Sequence, residues 1–208
     1  MKVIKPSYVI LDDVGPEILR KIEAAGRTCY KSEEKIGDGT DVKFVQNIIK
    51  RGHESVLEHE KVSVRIICDR GVSHELVRHR IASFSQESTR YCDYGSEKHG
   101  GELTFIDPCF WETGSEPYNI WLEVCKNVEN YYLKMTRTLG VKPEEARSIL
   151  PNSIKTEIVV TMNLREWRHF FKLRTAIAAH PQMREITRPM LDEFKKRIPV
   201  VFDDITYE

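Results

Sequence analysis

The sequence contains no apolar run approaching the roughly 20 residues that a membrane-spanning helix requires. Its basic N-terminal residues meet Asp12 and Asp13 before a signal-type hydrophobic segment develops. Charge of either sign is not in excess, because Lys and Arg total 32 and Asp and Glu total 32. These absences argue against a membrane protein, a secreted precursor and a generally basic nucleic-acid coat protein. We therefore expect a soluble chain with neither membrane nor nucleic-acid partners.

Disulfide patterns and closely spaced metal ligands are also missing. The five cysteines are an odd number, lie far apart and include no CxxC, so we expect reduced thiols and a cytoplasmic location. The nearest histidine pairs, His53 with His59 and His74 with His79, would point about 120° and 140° apart on a helix. We expect no metal site. The sequence also lacks a GxGxxG motif after a strand and a phosphate-binding P-loop motif, so neither a Rossmann site nor a P-loop is supported.

What the sequence does have is the composition of a folded domain. Apolar residues make up 40% of the chain and charged residues 31%, which is enough apolar surface for a core. At 208 residues, the chain is predicted to form a single domain over residues 1–208.

Apolar periodicity predicts strands and helices that do not alternate regularly. It favours strands over 2–10, 61–69 and 154–162 and a loop-rich segment over 93–116. It favours helices over 16–30, 71–81, 120–139 and from Pro143 to Pro151. Three more helices are expected, one just before Gly52 and one on either side of His180–Pro181. In the longest helix, three- and four-residue steps predict a buried stripe of Ile120, Val124, Val128, Tyr131, Met135 and Leu139. We therefore predict an α+β fold, with an antiparallel or mixed sheet flanked by helices that include a long central one.

The stretch from Arg78 to Tyr91, RHRIASFSQESTRY, is the most informative part of the sequence. It carries three arginines, one glutamate and the hydroxyls of Ser83, Ser85, Ser88 and Thr89. Guanidinium forks and hydroxyl donors are the groups that bind phosphate. A second interpretation stays open from composition alone: a solvated helix end, where arginines are favourable, followed by a polar loop.

The order of these residues resembles the signature of flavin-dependent thymidylate synthases. Arg78-His79-Arg80, followed by seven residues and Ser88-Thr89-Arg90-Tyr91, matches that family's string. Three further segments resemble family elements and occur in the family's order over about residues 50–190: GHESVLEH at 52–59, ARSILP at 146–151 and the helix over 163–174.

The resemblance implies an activity and a set of ligands. The enzyme would methylate dUMP to dTMP, with methylenetetrahydrofolate as carbon donor and NADPH as reductant through FAD. Reduced flavin would supply the hydride, so tetrahydrofolate would leave, and no catalytic cysteine would be needed. The resemblance also implies a homotetramer whose active sites are shared between subunits.

The same resemblance implies the site residues. Arg174 would be catalytic, stabilising negative charge on the uracil ring. The expected dUMP-binding residues are Glu75, Arg78, Gln86, Glu87, Ser88, Thr89, Arg90, Arg147 and Arg174. The expected FAD-binding residues are His53, Ser55, Arg78, His79, Arg80, Gln86, Asn163, Arg165 and His169.

The sequence departs from the family pattern in two places. Residues 85–87 are Ser-Gln-Glu, where some members have Asn-Glu followed by an apolar residue. The sequence therefore leaves open which of Gln86 and Glu87 contacts the pyrimidine. Position 75 is Glu where some members have Gln, and a carboxyl group beside an anionic nucleotide needs a donor partner or a proton.

Local patterns add three structural expectations. Ser55 and Glu58 fit a capping box, and Asn163 fits an N-cap with Glu166 three residues later. With Asn163 at zero and about 100° per residue, Trp167 falls at about 40°, Phe170 at about −20° and Arg174 at about 20°. Arg174 therefore projects from an aromatic stripe, where an arginine must snorkel, pair with an acid or meet a ligand.

Two other functions remain open at this point. One is a flavoprotein or nucleotide-binding enzyme that shares the site but performs another reaction. The other is a nucleic-acid-binding module that uses the basic patch of residues 78–90, against which the zero net charge argues.

Overall fold

The computed structural model describes residues 1–207 and leaves the side chain of His99 undescribed. Strands and helices follow one another without regular alternation. The strands are β1 (Lys2–Ile4), β2 (Ser7–Ile10), β3 (Lys61–Asp69), β4 (Ala82–Gln86), β5 (Thr104–Ile106) and β6 (Lys155–Asn163). The α-helices are α1 (Ile18–Thr28), α2 (Thr40–Lys50), α3 (Arg70–Leu76), α4 (Glu116–Leu133), α5 (Pro143–Ala146), α6 (Leu164–Arg174) and α7 (Pro181–Arg197).

The strands form two sheets, and the predicted α+β class is confirmed. Four strands lie in the order β2-β3-β6-β4, and β1 pairs in parallel with β5. The single strand predicted over 2–10 is two strands, because Pro6 between them has no N–H to donate to a ladder. Strand β5, inside the segment predicted to be loop, was missed.

Contacts group the chain into two compact units, each made of separate segments. Unit 1 comprises Met1–Ser7, Ile66–Arg78 and Ser85–Ile158. Unit 2 comprises Tyr8–Arg65, His79–Phe84 and the chain from Val159. The chain passes from one unit to the other within β2, β3, β4 and β6, and also between Arg78 and His79. The single domain expected over residues 1–208 remains a prediction.

Unit 1 is built around a core beneath α4. The buried residues of this core are Tyr94, Leu103, Phe105, Cys125, Tyr132, Ala146 and Ile154. Residues 134–138 continue α4 as a π-helical turn, and a short 3₁₀ helix, Arg147–Ile149, follows α5.

The prediction of which face of the long helix is buried is wrong. Ile120 is 57% exposed, Val124 50%, Tyr131 63% and Leu139 63%. The face that packs on the core is rotated by about one residue, or 100°. It consists of Tyr118, Trp121, Cys125, Val128, Tyr132 and Met135. Only Val128 and Met135 belong to both stripes, so α4 carries a second apolar face that is exposed.

Unit 2 is built around aromatic side chains of α6 and α7. Trp167, Phe170 and Phe171 of α6 are buried with Phe194 of α7 and with Phe202. The Trp167 indole N–H donates to the Val62 carbonyl at 2.9 Å, so its one polar group is satisfied inside the core. The 3₁₀ helix Glu54–His59 also contacts α6.

Helix α3 is shorter than the helix predicted over 71–81. Asp69 caps it by accepting from the Val72 N–H at 2.7 Å, and it ends at Leu76. Residues 82–86 then form β4, so the Arg78–Tyr91 stretch is a strand flanked by two irregular segments. Within residues 1–207, every helix is too short or too polar to cross a bilayer.

Candidate functional site

Gln86 ends β4 in unit 1 and is held by two buried hydroxyl groups. Its side-chain nitrogen donates to Ser73 Oγ at 2.9 Å and to Thr156 Oγ1 at 3.1 Å. The Ser73 hydroxyl donates its only proton to the Arg70 carbonyl at 3.0 Å, so it must accept from Gln86. This chain of donors fixes the amide nitrogen toward the hydroxyls and turns the amide oxygen of Gln86 away from them.

Glu87 is held differently. Its carboxylate accepts from Lys155 Nζ at 2.8 Å, and both side chains are mostly buried. The neighbouring positions 86 and 87 therefore differ in what they can offer a ligand: Gln86 an amide oxygen, Glu87 a carboxylate already neutralised by a cation.

The Ser88–Arg90 loop of unit 1 lies beside Arg147. The Arg147 guanidinium donates to the hydroxyl of Thr89, which is buried, at 3.4 Å. Ser88 Oγ accepts from the Arg90 N–H at 3.2 Å and so tightens the turn. The Arg90 side chain is 53% exposed and lies 3.7 Å from Glu144, a distance at which a surface pair contributes little.

Two further residues predicted to bind dUMP lie at the end of α3. Glu75 is half-buried and Arg78 is exposed, and the Arg78 N–H donates to the Glu75 carbonyl at 3.3 Å. Unit 1 thus contains every residue predicted to bind dUMP except Arg174, which belongs to unit 2.

Arg174, at the last turn of α6, is hydrogen-bonded to His79 within unit 2. Its Nε donates to His79 Nε2 at 3.0 Å. His79 is buried, and its other nitrogen, Nδ1, lies 3.3 Å from Glu166 Oε1. The His79 ring also packs edge-on against Phe170, with centroids 5.0 Å apart.

Burial keeps this histidine uncharged. It lowers the pKa of His79 to about 4, and the positive charges of Arg174 and of His169, when protonated, act in the same direction. Burial raises the pKa of Glu166 above its usual value, although charge on His169 opposes this. At neutral pH the ring therefore holds one proton, and Glu166 is the neighbour that can accept it, because the Arg174 guanidinium only donates.

His79, Glu166 and His169 also have the spacing of a metal site, with one potential ligand atom from each within 4.8 Å of the others. The hydrogen bonds of His79 argue against that use. A ring nitrogen that accepts from Arg174 and another that faces a carboxylate leave no lone pair directed at a metal unless a proton is lost.

Five of the nine residues predicted to bind FAD line two clefts of unit 2, whereas Arg78 and Gln86 belong to unit 1 and His79 and Arg80 line neither cleft. Asn163, Arg165 and His169 line one of about 500 Å³, together with Glu166 and Lys172. His53 and Ser55 line another of about 730 Å³, whose other polar side chains include those of Arg27, Lys35 and Arg51. Arg80 is exposed.

One capping prediction holds and one is wrong. Asn163 caps α6, because its Oδ1 accepts from the Glu166 N–H at 2.8 Å. Ser55 is not an N-cap: residues Glu54–His59 form a 3₁₀ helix that begins after His53 without a side-chain cap. Glu58 instead accepts from Arg165 at 2.6 Å, which ties this segment to the start of α6.

Sequence reasoning missed the residues that hold the predicted ones. Ser73, Thr156 and Lys155 fix Gln86 and Glu87, and Glu166 faces His79. A hydroxyl on a strand or an acid in a helix's first turn has an ordinary structural explanation, so only the fold identifies these partners.

Taken as a class, the fold and these side chains define an α+β enzyme suited to phosphorylated, anionic substrates. The family model described as thymidylate synthase complementing protein matches residues 10–200. A flavin-dependent thymidylate synthase from Pyrococcus furiosus is 41% identical over 173 residues, which are 83% of this chain and 70% of the relative. One from Corynebacterium aurimucosum is 32% identical over 93% of this chain and 82% of the relative. This chain belongs to the flavin-dependent thymidylate synthase family, as its motifs predicted.

Solved structures share the fold. Thymidylate Synthase X from Helicobacter pylori, with FAD and dUMP, has a TM-score of 0.78 at 24% identity, over 96% of this chain and 98% of that one. The UMP/dUMP methylase PolB from Streptomyces cacaoi, bound with 5-Br UMP, has a TM-score of 0.76 at 18% identity, over 98% of this chain and 95% of that one.

Proposed function

We propose that this chain performs the family reaction, the methylation of dUMP to dTMP, with FAD as its flavin. Methylenetetrahydrofolate donates the carbon and NADPH the electrons, so the products are dTMP, tetrahydrofolate and NADP⁺. Family membership over residues 10–200 carries this proposal. The Arg147–Thr89 contact supports it, because it joins two of the motifs in one anion-binding group.

The nucleotide phosphate is bound by Arg78, Arg90 and Arg147, with Ser88 and Thr89 as hydroxyl donors. Guanidinium groups recognise phosphate by paired, charge-assisted hydrogen bonds. Gln86, rather than Glu87, contacts the pyrimidine, because Lys155 already holds the Glu87 carboxylate whereas the Gln86 amide oxygen points away from its two hydroxyl partners. An amide oxygen accepts from an N–H of the ring without adding charge.

Arg174 stabilises the negative charge that develops on the uracil ring when the ring is activated. A fixed donor aimed at developing charge lowers the barrier because it needs no reorientation during the reaction. The bond to His79 restrains the Arg174 guanidinium in this way. Because His79 is uncharged, it does not compete with Arg174, and the guanidinium is the positive charge of this pair.

The donors in the two clefts of unit 2 fit a flavin dinucleotide in kind. Arg165, Lys172 and His169 offer cationic or imidazole groups to a pyrophosphate, and Ser55 and His53 offer a hydroxyl and an imidazole. The exposed Arg165–Glu58 ion pair is readily exchanged for a phosphate. When bound, FAD accepts electrons from NADPH and supplies the hydride that reduces the transferred carbon.

The folate product tests this function. The two buried cysteines are poor nucleophiles, since burial raises the pKa of Cys125 to about 11 and that of Cys68 further still. With flavin as the hydride donor, FAD-loaded protein should form dTMP and tetrahydrofolate in equal amounts, as measured by chromatography of both products. Protein stripped of FAD should form neither, and stoichiometric dihydrofolate would contradict the mechanism.

Arg90→Ala should weaken dUMP binding without disturbing the fold. The side chain is half-exposed and its pair with Glu144 is long, so the folded state loses little, whereas the phosphate loses a charged partner. Such a partner contributes roughly 1.5–3 kcal/mol, or about 10- to 150-fold in dissociation constant. Calorimetric titration of FAD-loaded protein measures it, with Arg197→Ala on α7 as the control. Unchanged dUMP affinity would remove Arg90 from the site.

The exposed face of α4 supports the homotetramer. Ile120, Val124 and Tyr131 present an apolar strip on the outside of unit 1, and a second copy of the chain would cover it. We propose four copies with shared active sites, a number that light scattering of the whole protein measures.

The location that we propose is the cytoplasm, since none of the five cysteines is in a disulfide within residues 1–207.

A further inference from the structure

One row of side chains on α6 surrounds His79. Glu166, Phe170 and Arg174 are spaced four residues apart and therefore form a single ridge on the helix. The imidazole touches all three: the Glu166 carboxylate at 3.3 Å, the Phe170 ring edge-on and the Arg174 Nε at 3.0 Å. All four residues belong to unit 2.

The hydrogen bonds determine where the imidazole proton sits. A guanidinium has no lone pair, so the Nε of Arg174 must donate and His79 Nε2 must accept. A neutral imidazole that accepts at Nε2 carries its proton on Nδ1. Nδ1–H in turn faces Glu166 Oε1, an acceptor. The three groups are thus matched in donors and acceptors from the carboxylate to the guanidinium.

We propose that Glu166 and His79 are positioning residues that fix the orientation of the Arg174 guanidinium. Glu166 holds the proton on Nδ1, and Nε2 then accepts the Arg174 N–H nearest the stem of that side chain. Because that N–H lies in the guanidinium plane, the bond limits rotation of the plane. This inference rests on the proposed function only where it assigns Arg174 a role in the reaction. The hydrogen-bond relay from Glu166 through His79 to Arg174 is a property of the folded chain and does not depend on that role.

Removing the acceptor should loosen the relay. Without Glu166, only the Arg174 N–H still favours the proton on Nδ1, so part of the population carries it on Nε2, where the N–H would face the N–H of Arg174. Two opposed donors repel, so in that form the guanidinium rotates away. A misplacement of about 1 Å at a reacting centre lowers rates by up to about 10²-fold.

The experiment compares three variants of the full-length, FAD-loaded chain. Glu166→Ala removes the acceptor, Glu166→Gln keeps an acceptor oxygen, and Glu193→Ala on α7 is the control, an acid paired on the surface with Arg197. We expect Glu166→Ala to lower kcat by roughly 10- to 10²-fold with little change in KM for dUMP. The control should match the wild type, and Glu166→Gln should keep most of the kcat that Glu166→Ala loses. Glu166→Gln as impaired as Glu166→Ala, or Glu166→Ala at wild-type turnover, would overturn the relay.

Two measurements separate a positioning role from a structural one. Nitrogen NMR of histidine-labelled protein at pH 7 should find His79 with its proton on Nδ1 in the wild type and with a measurable share on Nε2 in Glu166→Ala, whether or not the protein turns over dUMP. In an Arg174→Lys background, Glu166→Ala should have no further effect on kcat, because the oriented guanidinium is already gone. Additive losses accompanied by a lower melting temperature would assign Glu166 to folding and contradict the proposal.

The wild type tests the proposed function separately. If wild-type protein forms no dTMP yet His79 shows the Nδ1–H form that Glu166→Ala depletes, the function fails and the relay stands. If wild-type protein forms dTMP and the proton sits on Nε2, the relay fails and the function stands.

Discussion

Arg174→Lys should leave a folded, FAD-loaded protein whose turnover is roughly 10²–10³-fold below that of the wild type, the usual loss when a transition-state donor is removed. Lysine keeps the positive charge and much of the apolar stem, so α6 should pack as before. It lacks the planar fork of the guanidinium. It also has no Nε–H at the position that donates to His79, so the replacement cation is not held in place.

The measurement needs three quantities from one preparation: flavin occupancy, melting temperature and dUMP-dependent turnover. Arg197→Lys, on the surface of α7, makes the same chemical change away from the predicted site and should match the wild type in all three. If Arg174 only packs the helix, the variant should instead melt at a lower temperature and keep its turnover per folded molecule. Near-normal turnover in a folded, flavin-loaded variant would show that Arg174 is not the charge-stabilising group.

Local patterns predicted the parts of the fold whose cause is local. The alternation over 61–69 gave the bounds of β3, because a strand with one buried face must alternate. Asn163 caps α6 as predicted, since the cap bonds only three residues ahead. Strand β5 escaped prediction because its three residues lie among glycines and prolines and are fixed by pairing with β1, about a hundred residues away.

The long helix shows where periodicity misleads. Both of its faces are apolar, and helical spacing alone cannot say which one the chain covers with its own core and which one it leaves exposed. The interpretation favoured Ile120 and Val124, whereas Cys125 and Tyr132 are the buried residues. The sequence pattern detected an apolar face, but an exposed apolar face has the same helical spacing as a face that packs on the core.

The candidate site also contains residues that the sequence predicted and residues that only the fold reveals. Motif order predicted Arg78, Ser88, Arg147 and Arg174 as site residues, because their order and spacing along the chain resemble the family's motifs. It did not identify Glu166, which reads as an ordinary first-turn acid of α6, or the hydroxyls that orient Gln86. These supporting groups are recognisable only when the fold places α3 and β6 beside Gln86, and α6 beside His79.

The second large effect is expected at a buried arginine in unit 2. Arg168 is 1% exposed, yet its guanidinium meets Glu54 at 3.0 Å, Asp204 at 2.6 Å and the carbonyl of Val201. It therefore joins α6 to the 3₁₀ helix Glu54–His59 and to residues 201–204. Arg168→Met keeps most of the side-chain volume and removes every one of these bonds, which leaves two carboxylates and a carbonyl without their shared donor.

Arg168→Met should destabilise the protein by about 3 kcal/mol, the lower end of what breaking a buried ion pair costs, because Glu54 and Asp204 retain some contact with water. For a chain of this length that is a fall in melting temperature of roughly 6–12 °C at fixed protein and FAD concentration. Arg197→Met, which breaks an exposed pair on α7, should change it little. A fall no larger than that of this control would show that the buried ion pairs do not hold unit 2 together.

The loss should also depend on pH. Hydrogen bonding from Arg168 holds the pKa of Asp204 below its usual value of 3.8. A carboxyl group with a lowered pKa stabilises the fold above its unfolded-state pKa, and that contribution disappears as the pH falls through the folded-state value. The gap in melting temperature between wild type and Arg168→Met should therefore be full at pH 6 and narrow below about pH 4. A gap that stays constant down to pH 3 would mean that lost packing, not the ion pair with Asp204, causes the destabilisation.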